Sequence, residues 1–238
     1  MNAPLLPFIE ETRFGNWFIN SYIWKKHVIA RALSLLQPLM PADVSRYPRI
    51  LDVGCGFGHS FAQLAERFDP DEIVATDADP ELLARAGDAA KRAACKVSLH
   101  EVNAARMPFA DASFDMVFCH QTFHHIVDQE QAMAEFFRVL KPGGVLLFAE
   151  STRRYIHSWV IRTFFRHPME VQKTAEEYIA LIRAAGFTLP AARINLPYLW
   201  WSREDLGLME KLGFSVPVQR EETLVNAVCI KPVAGAGG

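Results

Sequence analysis

The run Ile50-Leu51-Asp52-Val53-Gly54-Cys55-Gly56-Phe57-Gly58-His59-Ser60 constrains the fold more than any other stretch of this chain. Its apolar start, rich in Ile, Leu and Val, reads as a strand buried on both faces of a parallel sheet. The strand breaks into three glycines at alternate positions, and a helix is predicted to begin near His59 or Ser60. Glycines so spaced let the backbone turn sharply and approach a ligand without Cβ interference, and the first amides of the helix are free to meet its polar end. A dinucleotide-phosphate loop needs G-x-G-x-x-G, whereas the third glycine here comes one residue early. Asp52 beside the loop also suits a ligand with a positive amino group better than a pyrophosphate.

The segments that follow alternate between strand and helix signals. Ile73-Val74-Ala75-Thr76-Asp77 reads as a second strand ending in an acid, where a doubly wound sheet places a carboxylate for ribose hydroxyls. Asp79-Pro80 reads as an N-cap followed by proline in the first helical turn, with Lys91 and Arg92 suited to that helix's end. Further strands are predicted over 96–102, 114–119 and 145–149, and two more near 187–196 and 223–230. Asp128 with Gln131, and Thr174 with Glu177, have the spacing of capping boxes. Residues 12–37 read as helix broken once, ended by Pro38 and Pro41. Alternation of this kind implies an α/β fold, a mostly parallel sheet covered on both faces.

Met107-Pro108-Phe109, Ser113-Phe114-Asp115-Met116-Val117-Phe118 and Arg138-Val139-Leu140-Lys141-Pro142-Gly143-Gly144 complete an ordered series with the glycine loop and Asp77. On these residues the sequence resembles the class I S-adenosylmethionine-dependent methyltransferases, in the branch of quinone-ring and other small-molecule enzymes. The resemblance runs from about Tyr47 to Ser151. It implies a Rossmann-like sheet of seven strands, mostly parallel with the last antiparallel, helices on both faces and an N-terminal helical cap. It also implies S-adenosylmethionine as cofactor and S-adenosylhomocysteine as product. Asp52, Gly54, Cys55, Gly56 and Gly58 would surround the methionine portion, and Asp77 would take both ribose hydroxyls, with Ala78 against the adenine. Asn103 and Ala104 stand where the family has an acid followed by a small residue, which assigns Asn103 to the adenine amino group without charge assistance. The backbone at His120 would close over the methionine end.

The tryptophans (Trp17, Trp24, Trp159, Trp200, Trp201) all lie outside this core, in segments that follow strand ends or form the N-terminal helix. An aromatic lid over the methyl group is the reading drawn from them, with Trp17, Tyr22, His125, Trp159, Trp200 and Trp201 as substrate contacts; ordinary packing of aromatics in capping helices competes with it. His120, Tyr22 and Glu150 are the candidate general bases. His124 and His125 form a pair with no acidic partner at ligand spacing, so no metal site is expected. Residues 153–167 place Ile156, Trp159, Val160 and Phe164 on one face of a basic helix, which fits either a solvated lid or peripheral contact with an anionic membrane.

A net charge of −2 over 238 residues gives no general attraction to nucleic acid. The position after the fourth strand reads His120-Gln121-Thr122-Phe123 rather than the Asn/Asp-Pro-Pro-aromatic motif of a nucleic-acid methyltransferase. Cys55, Cys95, Cys119 and Cys229 have no C-x-x-C spacing and read as reduced thiols of a cytoplasmic protein. Neither a secretory signal nor a membrane-spanning run is read in the sequence. The expected layout is a helical cap over 1–45, a methyltransferase domain over 46–232 with substrate-side insertions at 151–172 and 197–213, and a disordered tail over 233–238. Methylation of a quinone, polyketide, terpenoid or lipid-like acceptor is the activity expected, with a non-catalytic cofactor-binding module and a membrane-associated lipid methyltransferase as alternatives.

Overall fold

The computed structural model describes residues 11–233; the first ten residues of the expected cap and positions 234–238 of the expected tail lie outside it. Strands β1 (Arg49–Val53), β2 (Glu72–Asp77), β3 (Lys96–Glu101), β4 (Phe114–His120), β5 (Leu140–Ser151), β6 (Ile194–Asn195) and β7 (Leu224–Ile230) form one sheet in the order β3-β2-β1-β4-β5-β7-β6. β1 pairs in parallel with β2 and β4, β2 with β3, and β4 with β5. β7 is antiparallel to both β5 and β6. The chain order reverses between β1 and β4, so the carboxyl ends of those neighbours open the crevice in which such sheets bind ligands.

The central strands are apolar on both faces because helices cover both. Leu51, Val53, Val117, Cys119, Leu146 and Phe148 are buried on the side of α5 (Gln129–Val139) and α8 (Ala175–Ala184). Ile50, Ile73, Ala75, Met116, Phe118 and Leu147 are buried on the side of α2 (Ala30–Leu36), α3 (Phe61–Phe68) and α4 (Pro80–Arg92). Asp79 caps α4 by accepting from the amides of Glu81 and Leu82, and Thr174 with Glu177 forms a complete capping box on α8. The box expected at Asp128 is not made: its side chain accepts no capping hydrogen bond at α5. The strand expected near 187–196 shrinks to the two residues of β6, with Thr188 bridging to Ile230.

Three additions reach over the carboxyl edge of the sheet. The N-terminal segment is α1 (Arg13–Ile19), a break, a π-helical stretch Trp24–Ile29, and α2. After β5 come α6 (Arg153–Ile156) and α7 (Trp159–Phe164), and after β6 a 3-10 turn at Trp200–Ser202 precedes α9 (Leu208–Lys211). The single basic helix expected over 153–167 is therefore two short ones, parted where Ser158 caps α7 through the amide of Ile161. The break separates its supposed face: Ile156 is buried at 1% exposure, while Trp159 stands 67% exposed. The additions are tied together. Thr12 Oγ1 donates to the Phe164 carbonyl at 2.6 Å, Phe14 packs on Phe164 with centroids 4.9 Å apart, and Trp201 Nε1 donates to the His27 carbonyl at 3.1 Å.

Candidate active site

The cavity of about 290 Å³ that lies between the glycine loop and these three additions is built first by β1 and β2. The three glycines do different work. Gly54 (φ +69°) lies so close to Thr122 that a Cβ there would meet its side chain at 2.1 Å. Gly56 (φ +51°) has nothing within 4 Å of the space a Cβ would take, and it borders the cavity; the glycine leaves room for a ligand. Gly58 does not border the cavity as expected of a ligand contact. Its missing Cβ makes room for the ring of Phe61, 2.4 Å from where that atom would be, and so seats α3 on the loop.

Asp77 stands at the carboxyl end of β2 and organises the loop. Its Oδ2 accepts the Gly56 amide at 2.8 Å and its Oδ1 the Asp79 amide at 3.0 Å. Each oxygen keeps lone pairs for further donors, as a pair of ribose hydroxyls would require. Burial pushes the carboxyl above its ordinary range, with the backbone donors opposing that rise. Asp52, 2% exposed, accepts from Ser60 Oγ at 2.5 Å. Burial, only partly offset by that hydrogen bond and reinforced by the charge of Asp77, raises it to about 7. Two buried acids bordering one cavity favour a cationic ligand. Cys55, Ala78, Asn103 and Ala104 also border the cavity. Asn103 Oδ1 already accepts the Ala105 amide at 2.9 Å, so it holds its own turn while leaving one lone pair and its amino group for a ligand.

His120 ends β4 at the cavity wall, stacked 5.8 Å from Phe118 and edge-on to Trp24 at 6.0 Å. Its Nε2 is buried without a hydrogen-bond partner, and burial lowers its pKa to about 4, so the ring is neutral near pH 7. An orphaned acceptor or donor of this kind is satisfied once a polar ligand group arrives.

Glu150 does not serve as a free base. Fully buried on β5, it spends Oε1 on the amides of Thr122 and Phe123 at 2.9 and 2.8 Å, and Oε2 on His124 Nδ1 at 2.7 Å. It fixes the turn after β4 instead. Tyr22 is 68% exposed, with Lys26 Nζ 5.6 Å from its ring centre, and does not border the cavity, whereas Trp24 does. Trp17 and Trp159 stand on the outer faces of α1 and α7, and Trp200 packs outward against Gly207; none of the three borders the cavity. Trp201 and His125 do, as assigned. Aromatic residues that border the cavity without having been assigned include Phe18, Trp24, Tyr155 and Phe165 on the additions and Phe57 and Phe118 on the sheet side. Composition marked the right segments, but helical phase decided which ring faces inward.

Gln121 and Thr122 were also missed. Gln121 takes φ +51°, uncommon for a side chain of its size, and its Oε1 accepts from Ser151 Oγ at 2.5 Å. That conformation turns the chain out of β4 toward the cavity and carries no sequence signal.

Known proteins resemble this chain in sequence and in fold. The family described as "Methyltransferase domain" matches residues 51–148. A demethylmenaquinone methyltransferase of Deinococcus radiodurans is 37% identical over 121 residues, covering 50% of each protein. The O-methyltransferase cnsE of Penicillium expansum is 34% identical over 144 residues, 58% of this chain and 51% of that protein. The chain thus spans about half the length of the curated relatives it matches. Among solved structures, a SAM-dependent methyltransferase from Aquifex aeolicus superimposes with a TM-score of 0.63 over 91% of this chain and 96% of the other, at 15% identity. That likeness establishes the fold.

Proposed function

Because residues 51–148 make this chain a bearer of the class I S-adenosylmethionine-dependent methyltransferase domain, we propose that it methylates a small apolar or aromatic acceptor held beneath the three additions to the sheet. The observation that carries this reading is the continuity of one cavity, acidic at the glycine loop and aromatic at the lid. The cofactor supplies a methyl group already activated on a sulfonium, so the protein's contribution is to bind, orient and exclude water. Asp77 would hold the ribose, Asp52 would sit near the cationic methionine end, and Gly56 would leave space between them. Phe18, Trp24, Tyr155, Ile161, Phe165 and Trp201 give the rest of the wall an apolar character suited to quinone, polyketide, terpenoid or lipid-like acceptors. Calorimetry with S-adenosylmethionine, followed by an assay for S-adenosylhomocysteine over hydroquinone, polyketide and lipid acceptors, tests the reading. Cofactor binding with no product from any acceptor would favour the non-catalytic module.

Where the acceptor arrives protonated, His120 Nε2 is the group proposed to take its proton. His120→Asn is expected to lower turnover by about 100-fold or more while leaving cofactor affinity unchanged; equal losses in both would reduce His120 to a packing role. The lid reading makes a paired prediction. Trp201→Ala should raise the acceptor KM by about tenfold, since a buried aromatic contact is lost. Trp200→Ala should change it by no more than about twofold, as for most surface substitutions.

A second reading concerns where the acceptor comes from. Phe14, Trp17, Tyr22, Trp159 and Phe164 form an exposed aromatic rim on the lid, with Lys25, Lys26, Arg162 and Arg166 also exposed. No helix among the described residues is long and apolar enough to cross a membrane. Such a rim fits contact with the interface of an anionic bilayer. Co-sedimentation with phosphatidylserine vesicles should occur at low salt and fall in Trp159→Ala; sedimentation no greater than with neutral vesicles would remove the idea.

A further inference from the structure

The histidine pair that the sequence left without a partner acquires one in three dimensions. His124 and His125 occupy a 3-10 turn just after β4, and His167 comes from the strap that follows α7. One nitrogen from each ring lies within 4.8 Å of the other two, and the ring centroids are 4.4 to 5.1 Å apart. All three border the cavity.

The cluster is held in place by its surroundings. Glu150 Oε2 takes the Nδ1 of His124 at 2.7 Å, which leaves Nε2 as that ring's ligand atom. Glu150 is itself pinned by the Thr122 and Phe123 amides. Gln172 Nε2 donates both to the His124 carbonyl at 2.8 Å and to the Pro168 carbonyl at 2.7 Å, which fastens the strap bearing His167 to the turn bearing His124. Among the described residues, the His125 and His167 rings make no side-chain hydrogen bond, while the His124 ring has Glu150. A carboxylate that orients one histidine, together with three imidazole nitrogens gathered within 4.8 Å of one another beside an open space, suits a metal site with a free coordination position.

We propose that His124, His125 and His167 bind a divalent transition-metal ion of the zinc type, whose open positions face the cavity and take an anionic oxygen (enolate, phenolate or carboxylate) of the methyl acceptor. Three imidazole donors suit zinc, cobalt, nickel or iron rather than magnesium or calcium. The ion would orient the acceptor and stabilise its deprotonated oxygen or enolate as a Lewis acid. The metal site stands independently of the methyl-transfer reading; only the acceptor's role rests on it.

Cobalt(II) titration of the untagged, chelator-treated full chain tests the site. One ion per chain is expected, with the visible bands of a low-coordinate cobalt site that zinc(II) abolishes. His125→Ala and His167→Ala should each weaken affinity by more than the roughly 10- to 100-fold typical of losing an outer-shell partner, and Glu150→Gln by about that amount. His100→Gln, an exposed histidine outside the cluster, should leave it unchanged. Melting temperatures of each variant separate loss of ligands from loss of fold. Full cobalt binding in well-folded His125→Ala and His167→Ala, or none in the wild type, overturns the site. Cofactor calorimetry on the same sample distinguishes the two proposals: cofactor heat without cobalt binding refutes only the metal, and cobalt binding without cofactor heat refutes only the methyltransferase. An acceptor KM unmoved by metal removal would overturn the acceptor's coordination.

Discussion

Asp77→Ala is expected to weaken S-adenosylmethionine binding by between about 100- and 10,000-fold, measured by calorimetry at pH 8. Hydrogen bonds to a charged group contribute about 1.5–3 kcal/mol each, and the two proposed for the ribose hydroxyls would both be lost. The same carboxylate holds the Gly56 and Asp79 amides, so the loop loses its internal fastening as well. Asp77→Asn separates these effects. Its single carbonyl oxygen can satisfy only one of the two amides, but it retains a neutral acceptor for the sugar and should fall between wild type and alanine. Apo melting curves show whether the loop still folds. Affinity unchanged in the alanine variant would place the sugar elsewhere, and clear saturation of the wild type by a nicotinamide dinucleotide alone would overturn the cofactor reading altogether.

Asp52→Asn should make the empty protein more stable and the ligand weaker. In the folded chain the Asp52 carboxyl is raised to about 7, burial being the main cause. The folded state therefore holds this proton more tightly than the unfolded chain does. Stability from this source is intact below the ordinary pKa near 4 and is lost progressively as pH climbs to about 7. Above that, the ionised wild type should carry a penalty of about 2–4 kcal/mol, which asparagine removes. For a chain of this size the variant should melt on the order of 5–10 °C higher at pH 8, with the difference closing toward pH 4. Cofactor affinity should move the other way. A cationic ligand favours the ionised carboxylate, so wild-type affinity should rise with pH through about 7 and binding should release protons there. The variant should bind weakly at every pH. An acid that destabilises the empty site and strengthens the loaded one is a common trade of stability for function. Melting curves of the two proteins that coincide at pH 8 would show that Asp52 is not strained by burial.

The sheet and its glycine-loop edge were legible because they rest on local chemistry. A continuous apolar run means a strand covered on both faces, alternate glycines mean a turn that approaches a ligand, and Asp79-Pro80 or Thr174 with Glu177 means a helix start. Asp77 was found in the same way, as the acid that ends β2. The lid was legible only as a set of segments. Trp17 and Trp159 point outward and Trp24 inward across a break at Asn20–Ser21, a π-helical stretch and the cap at Ser158, which reset the helical phase, while Trp200 and Trp201 are neighbours in a 3-10 turn of which only Trp201 borders the cavity; no short-range pattern reports those events.

The chain's own residues thus determined the order of strands and helices, the glycine loop and the acids that flank it, since each depends on neighbours a few positions away. Tertiary structure alone decided that Glu150 braces a turn rather than standing free, that Gly58 serves Phe61 rather than a ligand, and that His167 joins His124 and His125. Those outcomes depend on which distant segments the folded sheet brings within a few ångströms, and such distances are set by the packing of whole layers.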